Sequence, residues 1–380
     1  MDQMERFDAI VIGAGPAGST AAFRLSRAGA RVLLLDRERF PRDKPCGGGL
    51  TYRAVRQLPV SVEPVVEDTV RRVQLGFRYG RSVERRTEEP LILMTQRRRL
   101  DAHLAEQAAE AGADFRDGVR ATALETDEQG VTVRFDGSAA SAPVAIGADG
   151  VNGLTARALG IVGRREHGVA LEGNVSHVHA REDYRGRAVV DLGAVPGGYA
   201  WVFPKGDHVN VGVGGWESEG PRLRAHLERA CAEYGVSTER LESVRGYRLP
   251  MRRPGDRARS GRVLLVGDAA GLVDPLSGDG MYEAFVSSRL AAESVLRGDL
   301  DGYEPALDRE LARSFAASWK AKYALDRFPH LVFGVARLPF VWGFVSAFLR
   351  GDLAHPGEAT GLVRAPLRLV EALGASRHSA

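Results

Sequence analysis

"DAIVIGAGPAGSTAAFRLSRAGARVLLLD", Asp8 to Asp36, decides the fold of this 380-residue chain. "DAIVI" has no polar face, the pattern of a strand buried on both sides in a parallel sheet. "GAGPAG" follows at Gly13 to Gly18, the Ala-rich "STAAFRLSRAG" reads as a helix, and "RVLLLD" reads as a second strand ending on Asp36. In such a unit Gly13 permits the tight turn, Gly15 lets the backbone approach a pyrophosphate, and Gly18 lets the helix pack on the strand. The helix start then offers free N–H groups and a positive dipole end to phosphate. Asp36, 18 residues beyond Gly18, is placed to accept from a ribose hydroxyl and disfavours a 2′-phosphate. Glycines serving only a turn would leave both the third glycine and the acid without a purpose.

The length suits two or three domains at about 150 residues each. Lys+Arg number 52 against 49 Asp+Glu, and a net charge of +3 is too small to suggest nucleic acid. Cys46 and Cys231 are the only cysteines, which excludes a disulfide framework and a four-cysteine zinc site, so no metal is expected. The N-terminus lacks a signal-peptide pattern and no run of about 18 uninterrupted apolar residues occurs, so the chain is expected to be cytoplasmic. The segment "FPHLVFGVARLPFVWGFVSAFLR", Phe328 to Arg350, reads equally as a buried helix pair broken at Pro339 or as an interfacial segment facing lipid.

"SGRVLLVGDAAGLVDPLSGDGMYEAFVSSRLAAE", Ser260 to Glu293, reads as a strand ending at Gly267-Asp268, a loop, and a helix starting near Gly280. It resembles the GD motif of the flavin-dependent hydroxylase and reductase superfamily in Gly267, Asp268, Ala269, Ala270, Pro275, Gly278 and Gly280. "VAIGADGVNGLTARALG" resembles that superfamily's DG motif in Gly147, Ala148, Asp149, Gly150 and Arg157, and Arg97 of "QRRRLDAHLAEQAAEAGADF" holds its R-x-x-[FL]-D position. The resemblance implies bound FAD, with Asp268 on the ribityl chain and the Gly280 and Met281 backbone facing the flavin pyrimidine. Ala17, Arg37, Asp149, Gly150 and Arg97 are implied to border the same cofactor, while Arg98 and Arg99 read as solvated.

Tyr52 to Met94 and about Arg164 to Arg257 are richer in alternating patterns and read as inserted strands. In "PGGYAWVFPKGDHVNVGVGG", Pro196 to Gly215, two alternating runs flank "PKGD", which predicts a hairpin with Tyr199, Trp201 and Phe203 on one face. Although "VNVGVGGW" is glycine-rich, it reads as a strand with no helix after Gly215, so no second nucleotide site is expected. Pro196, Tyr199, Trp201, Phe203 and Pro204 resemble the P-x-x-Y-x-W-x-F-P motif of the geranylgeranyl reductase family, and "KPCGGG", Lys44 to Gly49, resembles its cysteine motif. The expected architecture is α/β: a Rossmann-type FAD-binding domain from 1–50, 95–163 and 258–305, an interleaved β-rich substrate domain from 51–94 and 164–257, and a C-terminal helical region over 306–380.

That resemblance implies reduction of carbon–carbon double bonds in an isoprenoid lipid or prenylated small molecule. NADPH, NADH or ferredoxin would be the electron donor, and a peripheral membrane contact is consistent with lipid-soluble substrates. Tyr199, Trp201, Phe203 and Pro204 are the implied substrate wall, and Cys46, Gly47 and Gly48 are implied to lie beside the flavin. An isolated alkene needs a proton at one carbon as hydride reaches the other. Cys46 is the leading acid, with the alternative that it only fills space beside the ring, and Tyr199 either donates or packs. The arginines Arg71, Arg72, Arg78, Arg81, Arg85 and Arg86 form either a solvated face or an attraction for phosphate head groups and membrane. A flavin monooxygenase of aromatic or polyketide-like substrates is the rival activity, though "KPCGG" with Y-x-W-x-F-P speaks against it. A non-catalytic lipid-binding flavoprotein is the remaining class.

Overall fold

A computed structural model describes residues 4–161, 166–353 and 355–375; the expected domain boundary at 163/164 lies outside them. The opening motif forms Ala9–Ile12, helix Pro16–Arg27 and Val32–Leu35, with the two strands parallel and Ile10 opposite Leu33. Ala145–Gly147 and then Val263–Leu265 extend the sheet on one side, and Asp114–Arg116 on the other, all in parallel. Alternate side chains explain why these strands are apolar throughout. Val32 and Leu34 pack with helices Pro16–Arg27, Arg97–Glu110 and Met281–Arg297, whereas Leu33 and Leu35 pack with Val131, Val133 and Phe135. The latter belong to a four-stranded sheet ordered Glu5–Arg6, Ser138–Ala142, Val131–Phe135 and Ala121–Thr126.

The largest sheet has seven strands, in the order Glu242–Met251, Glu166–Ser176, His208–Trp216, Tyr199–Lys205, Arg187–Leu192, Arg72–Phe77 and Arg81–Arg86. Val189, Ala200, Val202, Val209, Val211 and Val213 cover one face with Leu223, Leu227 and Cys231 of helix Leu223–Glu233. This helix corrects the expectation that none follows Gly215: it starts after a 3₁₀ turn, Glu217–Arg222. The strand before it pairs antiparallel with its neighbours, so no second βαβ phosphate site arises.

The hairpin turn is shorter than "PKGD". Pro204 and Lys205 remain in the strand opposite Val209 and His208, leaving Gly206 and Asp207 at the tip, and Gly206 takes a φ of +66°. Period two therefore puts Pro204 on the face of Ala200 and Val202, away from Tyr199, Trp201 and Phe203. Of the strands expected between 51 and 94, only Arg72–Phe77 and Arg81–Arg86 join the large sheet. Ile92–Thr95 instead forms the centre of a three-stranded sheet beside the Cys46 loop, with Gly49–Thr51 on one side and Val66–Val70 on the other.

The C-terminal region begins with helix Tyr303–Arg327, fixed to the large sheet by stacked Trp216, Tyr323 and Trp319 with ring centroids 6.0 and 5.5 Å apart. Helices Pro329–Ala336 and Pro339–Arg350 follow, bent by 82° at a break that precedes Pro339. Only Phe333, Val341 and Ser346 of the pair are buried, so it is not the buried pair that was one expectation. Among the described residues no single helix is long and apolar enough to cross a membrane. Helix Arg364–Ala375 packs back on Tyr303–Arg327 at Gly374, where a Cβ would stand 1.9 Å from the Lys320 carbonyl oxygen. Gly374→Val should therefore prise this helix off and lower stability by about 1–3 kcal/mol in a chemical-denaturation curve.

Candidate active site

One cavity of about 1500 Å³ starts at the carboxyl ends of the parallel strands, crosses the uncovered face of the seven-stranded sheet and ends against the C-terminal helices. Every residue singled out above as a site candidate lines it except Gly18 and Pro204. Gly18 lies behind the lining, where a Cβ would meet the Gly13 carbonyl oxygen at 1.8 Å. Gly13, at φ +103°, is equally closed, because a Cβ there would lie 2.4 Å from the Ala148 carbonyl oxygen. Gly15 caps the helix without a side-chain hydrogen bond, which leaves the first N–H groups open toward the cavity.

Two arginines flank that opening. Arg97 donates to Asp101 through Nε at 2.7 Å and Nη2 at 2.8 Å, and Arg42 reaches the same carboxylate at 2.8 Å. Burial opposes the Arg97 charge, but Asp101 outweighs it and holds the guanidinium protonated beyond its ordinary range. Asp36 accepts from the Ala14 N–H at 2.7 Å and the Glu38 N–H at 2.9 Å, which leaves each oxygen a lone pair for a hydroxyl. Arg37 is half-exposed beside it and pairs with Glu38 at 3.3 Å. The Asp149 carboxylate is taken up by its own loop, accepting from the Thr155 N–H at 2.9 Å and the Thr155 hydroxyl at 2.5 Å.

At the opposite wall, Asp268 receives Lys44 Nζ at 3.1 Å and the Tyr247 hydroxyl at 2.6 Å. Burial pushes its carboxyl up, but Lys44, Tyr247 and Arg97 together hold it below the ordinary range, so it stays an anionic acceptor. Asp268 lies on a 3₁₀ turn, Gly267–Ala270, rather than at the end of the strand. Gly280 caps helix Met281–Arg297, again without a side-chain bond. At this second helix start the Met281 N–H is taken by Asp279 Oδ1 at 2.8 Å. The open start at Gly15, the glycine-lined backbones and the acceptors fit FAD, whose pyrophosphate Gly15 could hold, with a ribose at Asp36 and the ribityl chain at Asp268.

Cys46 sits at the junction of this cradle and the sheet. Its N–H donates to Glu172 Oε1 at 2.7 Å, its carbonyl accepts from Lys205 Nζ at 2.5 Å, and its Sγ accepts the Gly48 N–H at 3.4 Å. A Cβ on Gly47 would come within 3.0 Å of the Phe203 ring, so the glycine loop and the aromatic strand touch. Trp201 stacks 6.2 Å from Phe203 and lies across Gly212, where a Cβ would be 2.0 Å away. Its indole N–H is satisfied by Asn210 Oδ1 at 2.8 Å. The Tyr199 hydroxyl donates to the Ser277 carbonyl, tying the aromatic wall to the loop before Gly280, and burial pushes its pKa up.

Sequence patterns had missed Arg42, Asp101, Lys44, Glu172, Lys205, Tyr247 and the C-terminal lining. Lys44 was inside a quoted motif. Asp101 is the acid of the R-x-x-[FL]-D motif, four residues beyond Arg97 on the same helix, and Arg42 lies two residues before Lys44. Glu172, Lys205 and Tyr247 come from three separate strands of the large sheet, and no local spacing reveals that they meet the loop and turn at Cys46 and Asp268. Helix Tyr303–Arg327 adds Lys322 to the cavity wall, where Nζ donates to the Gly197 carbonyl at 2.7 Å and stands 4.2 Å from the Trp216 ring centroid.

A family described as an FAD binding domain matches residues 6–286. The menaquinone reductase of Mycolicibacterium smegmatis is 30% identical over 94% of this chain and 95% of its own length. Digeranylgeranylglycerophospholipid reductase 1 of Methanopyrus kandleri is 33% identical over 76% of this chain and 80% of its own. A geranylgeranyl bacteriochlorophyll reductase-like protein of Thermoplasma acidophilum superposes with a TM-score of 0.77 at 22% identity, covering 99% of this chain and 98% of that one.

Gly18→Ala forces two backbones apart and is expected to yield protein with little flavin absorbance, whereas Gly334→Ala, whose Cβ meets nothing within 4 Å, keeps it. Burial lowers the Lys322 pKa from 10.5 to about 8. Between these values the unfolded chain holds the proton and the folded chain has lost it, so stability rises with pH. Relative to Lys322→Met, the wild type should gain roughly 3 kcal/mol between pH 8 and pH 10.5 in denaturation curves, from the size of that shift. Parallel pH profiles for the two proteins would refute this.

Proposed function

The chain belongs to the geranylgeranyl reductase family of FAD-dependent oxidoreductases, and on that premise we propose that it saturates double bonds of an isoprenoid chain carried on a lipid or a quinone. One observation carries the proposal: the FAD cradle opens without a break into a cavity walled by Tyr199, Trp201, Phe203 and the C-terminal helices. A long apolar chain can lie there, while a small polar substrate would leave most of that wall unsatisfied. In this proposal residues 1–50, 95–163 and 258–305 serve the cofactor and 51–94 and 164–257 the substrate, while the described residues of the 306–380 region close the chamber. The electrons come from NADPH, NADH or a ferredoxin.

Reduced FAD, when bound, supplies a hydride to one alkene carbon. The protein must deliver a proton to the other, so that two hydrogens add across each bond and nothing else is lost. Cys46 is the group for this step: it is partly exposed to the cavity where cradle and aromatic wall meet, and the Gly48 N–H orients its sulfur. Tyr199, whose hydroxyl proton is engaged by Ser277, serves to position the wall. The apolar lining keeps water from competing. The helix pair 329–350 exposes Leu331 and Phe340 to 37% and 40%, and we place the peripheral membrane contact there.

The test is anaerobic incubation of the dithionite-reduced holoenzyme with menaquinone in phospholipid vesicles. Mass gains of two per bond are expected. A gain of sixteen under oxygen would replace the reductase with a monooxygenase, and turnover in micelles but not vesicles would remove the membrane contact. Cys46→Ala should keep FAD and lose at least about tenfold in turnover. Tyr199→Phe should keep most of its activity, and loss of it would make the hydroxyl the donor instead.

A further inference from the structure

We infer that Glu172 and Lys205 are positioning residues for the Cys46 thiol, gripping the two sides of its backbone from the substrate sheet. The inference rests on the role proposed above for Cys46, although the grip itself is a matter of geometry. Lys44 to Gly48 lies outside every strand and helix, so its peptide groups need partners from elsewhere. For Cys46 both partners are charged side chains: Glu172 Oε1 accepts its N–H at 2.7 Å and Lys205 Nζ donates to its carbonyl at 2.5 Å. Glu172 is 9% exposed and Lys205 is 5% exposed.

Burying two charges for stability alone is a poor use of them, since an apolar pair of equal volume would hold the sheets together at least as well. Charge-assisted hydrogen bonds are instead shorter and more directional, which suits fixing a peptide in place. The residues come from strands Glu166–Ser176 and Tyr199–Lys205, on either side of His208–Trp216, so the loop is held across three strands. Gly48 blocks escape at the next step, with φ +83° and its carbonyl bound by the Thr95 N–H at 2.8 Å and hydroxyl at 3.0 Å. With its backbone so held, the thiol keeps only side-chain rotation, and the Gly48 N–H limits that.

The FAD-loaded protein and its Glu172→Ala, Glu172→Gln and Lys205→Met variants would be treated with iodoacetamide at one fixed pH, and alkylation of each cysteine followed by mass spectrometry. Cys231 is 0% exposed and reports global opening. Losing one hydrogen bond to the loop should speed Cys46 alkylation about fivefold or more in Glu172→Ala and Lys205→Met, with Cys231 still protected and turnover reduced. Glu172→Gln keeps an oxygen acceptor for the Cys46 N–H and should stay within about twofold of wild type. Wild-type alkylation in both Glu172→Ala and Lys205→Met would overturn the inference, as would Glu172→Gln behaving like Glu172→Ala. If Cys231 reacts in Glu172→Ala, the fold has opened, and Lys205→Met together with Glu172→Gln decides. Full turnover in Cys46→Ala alongside faster alkylation in the Glu172→Ala and Lys205→Met variants would discard the thiol as acid and leave the grip standing.

Discussion

The backbone at Ala148 crosses so close to Gly13 that Gly13 tolerates no side chain, and the rest of the site is arranged around that contact. A Cβ on Gly13 would enter the Ala148 carbonyl, and one on Gly18 would enter the Gly13 carbonyl. The first strand–helix unit and the loop at 147–157 are thereby locked at one height. The open helix start at Gly15 then faces Arg42 and Arg97, and the parallel sheet delivers Asp36 and Gly267-Asp268 to the same rim. Because this packing is backbone on backbone, no rotamer change can relieve an added methyl group.

The cavity divides electrostatically along its length. At the cofactor end charges are paired and fixed: Arg97 and Arg42 on Asp101, Lys44 and Tyr247 on Asp268. Towards the C-terminal helices the lining becomes aromatic and aliphatic, with Val332, Trp342, Phe344, Val345 and Phe348. Cys46 stands at the boundary, where a polar cofactor and an apolar chain would meet.

Much of the cofactor end was legible in the sequence because each part depends on neighbours within about twenty residues. A glycine triplet between an apolar strand and a helix has a local physical meaning, and so do Asp36 and the aromatic alternation at Tyr199, Trp201 and Phe203. The same alternation rule, applied one residue further, separates Pro204 from that wall, and the strand runs through Pro204 and Lys205, so the turn begins two residues later than its composition suggests. What stayed hidden are pairings across long separations. Cys46 and Glu172 are 126 residues apart, and Cys46 and Lys205 are 159 apart. A lone Glu in an alternating strand carries no sign of which loop will approach it. The helical closure was equally silent, since apolar helices read alike whether they line a chamber or fill a core.

The placement of the four tryptophans has an optical consequence. Trp216 and Trp319 belong to the stack that fixes the long helix to the sheet, while Trp201 and Trp342 line the cavity. Intrinsic emission thus separates into two reporters: one pair registers whether the helical roof is seated, and the other whether anything occupies the chamber beneath it.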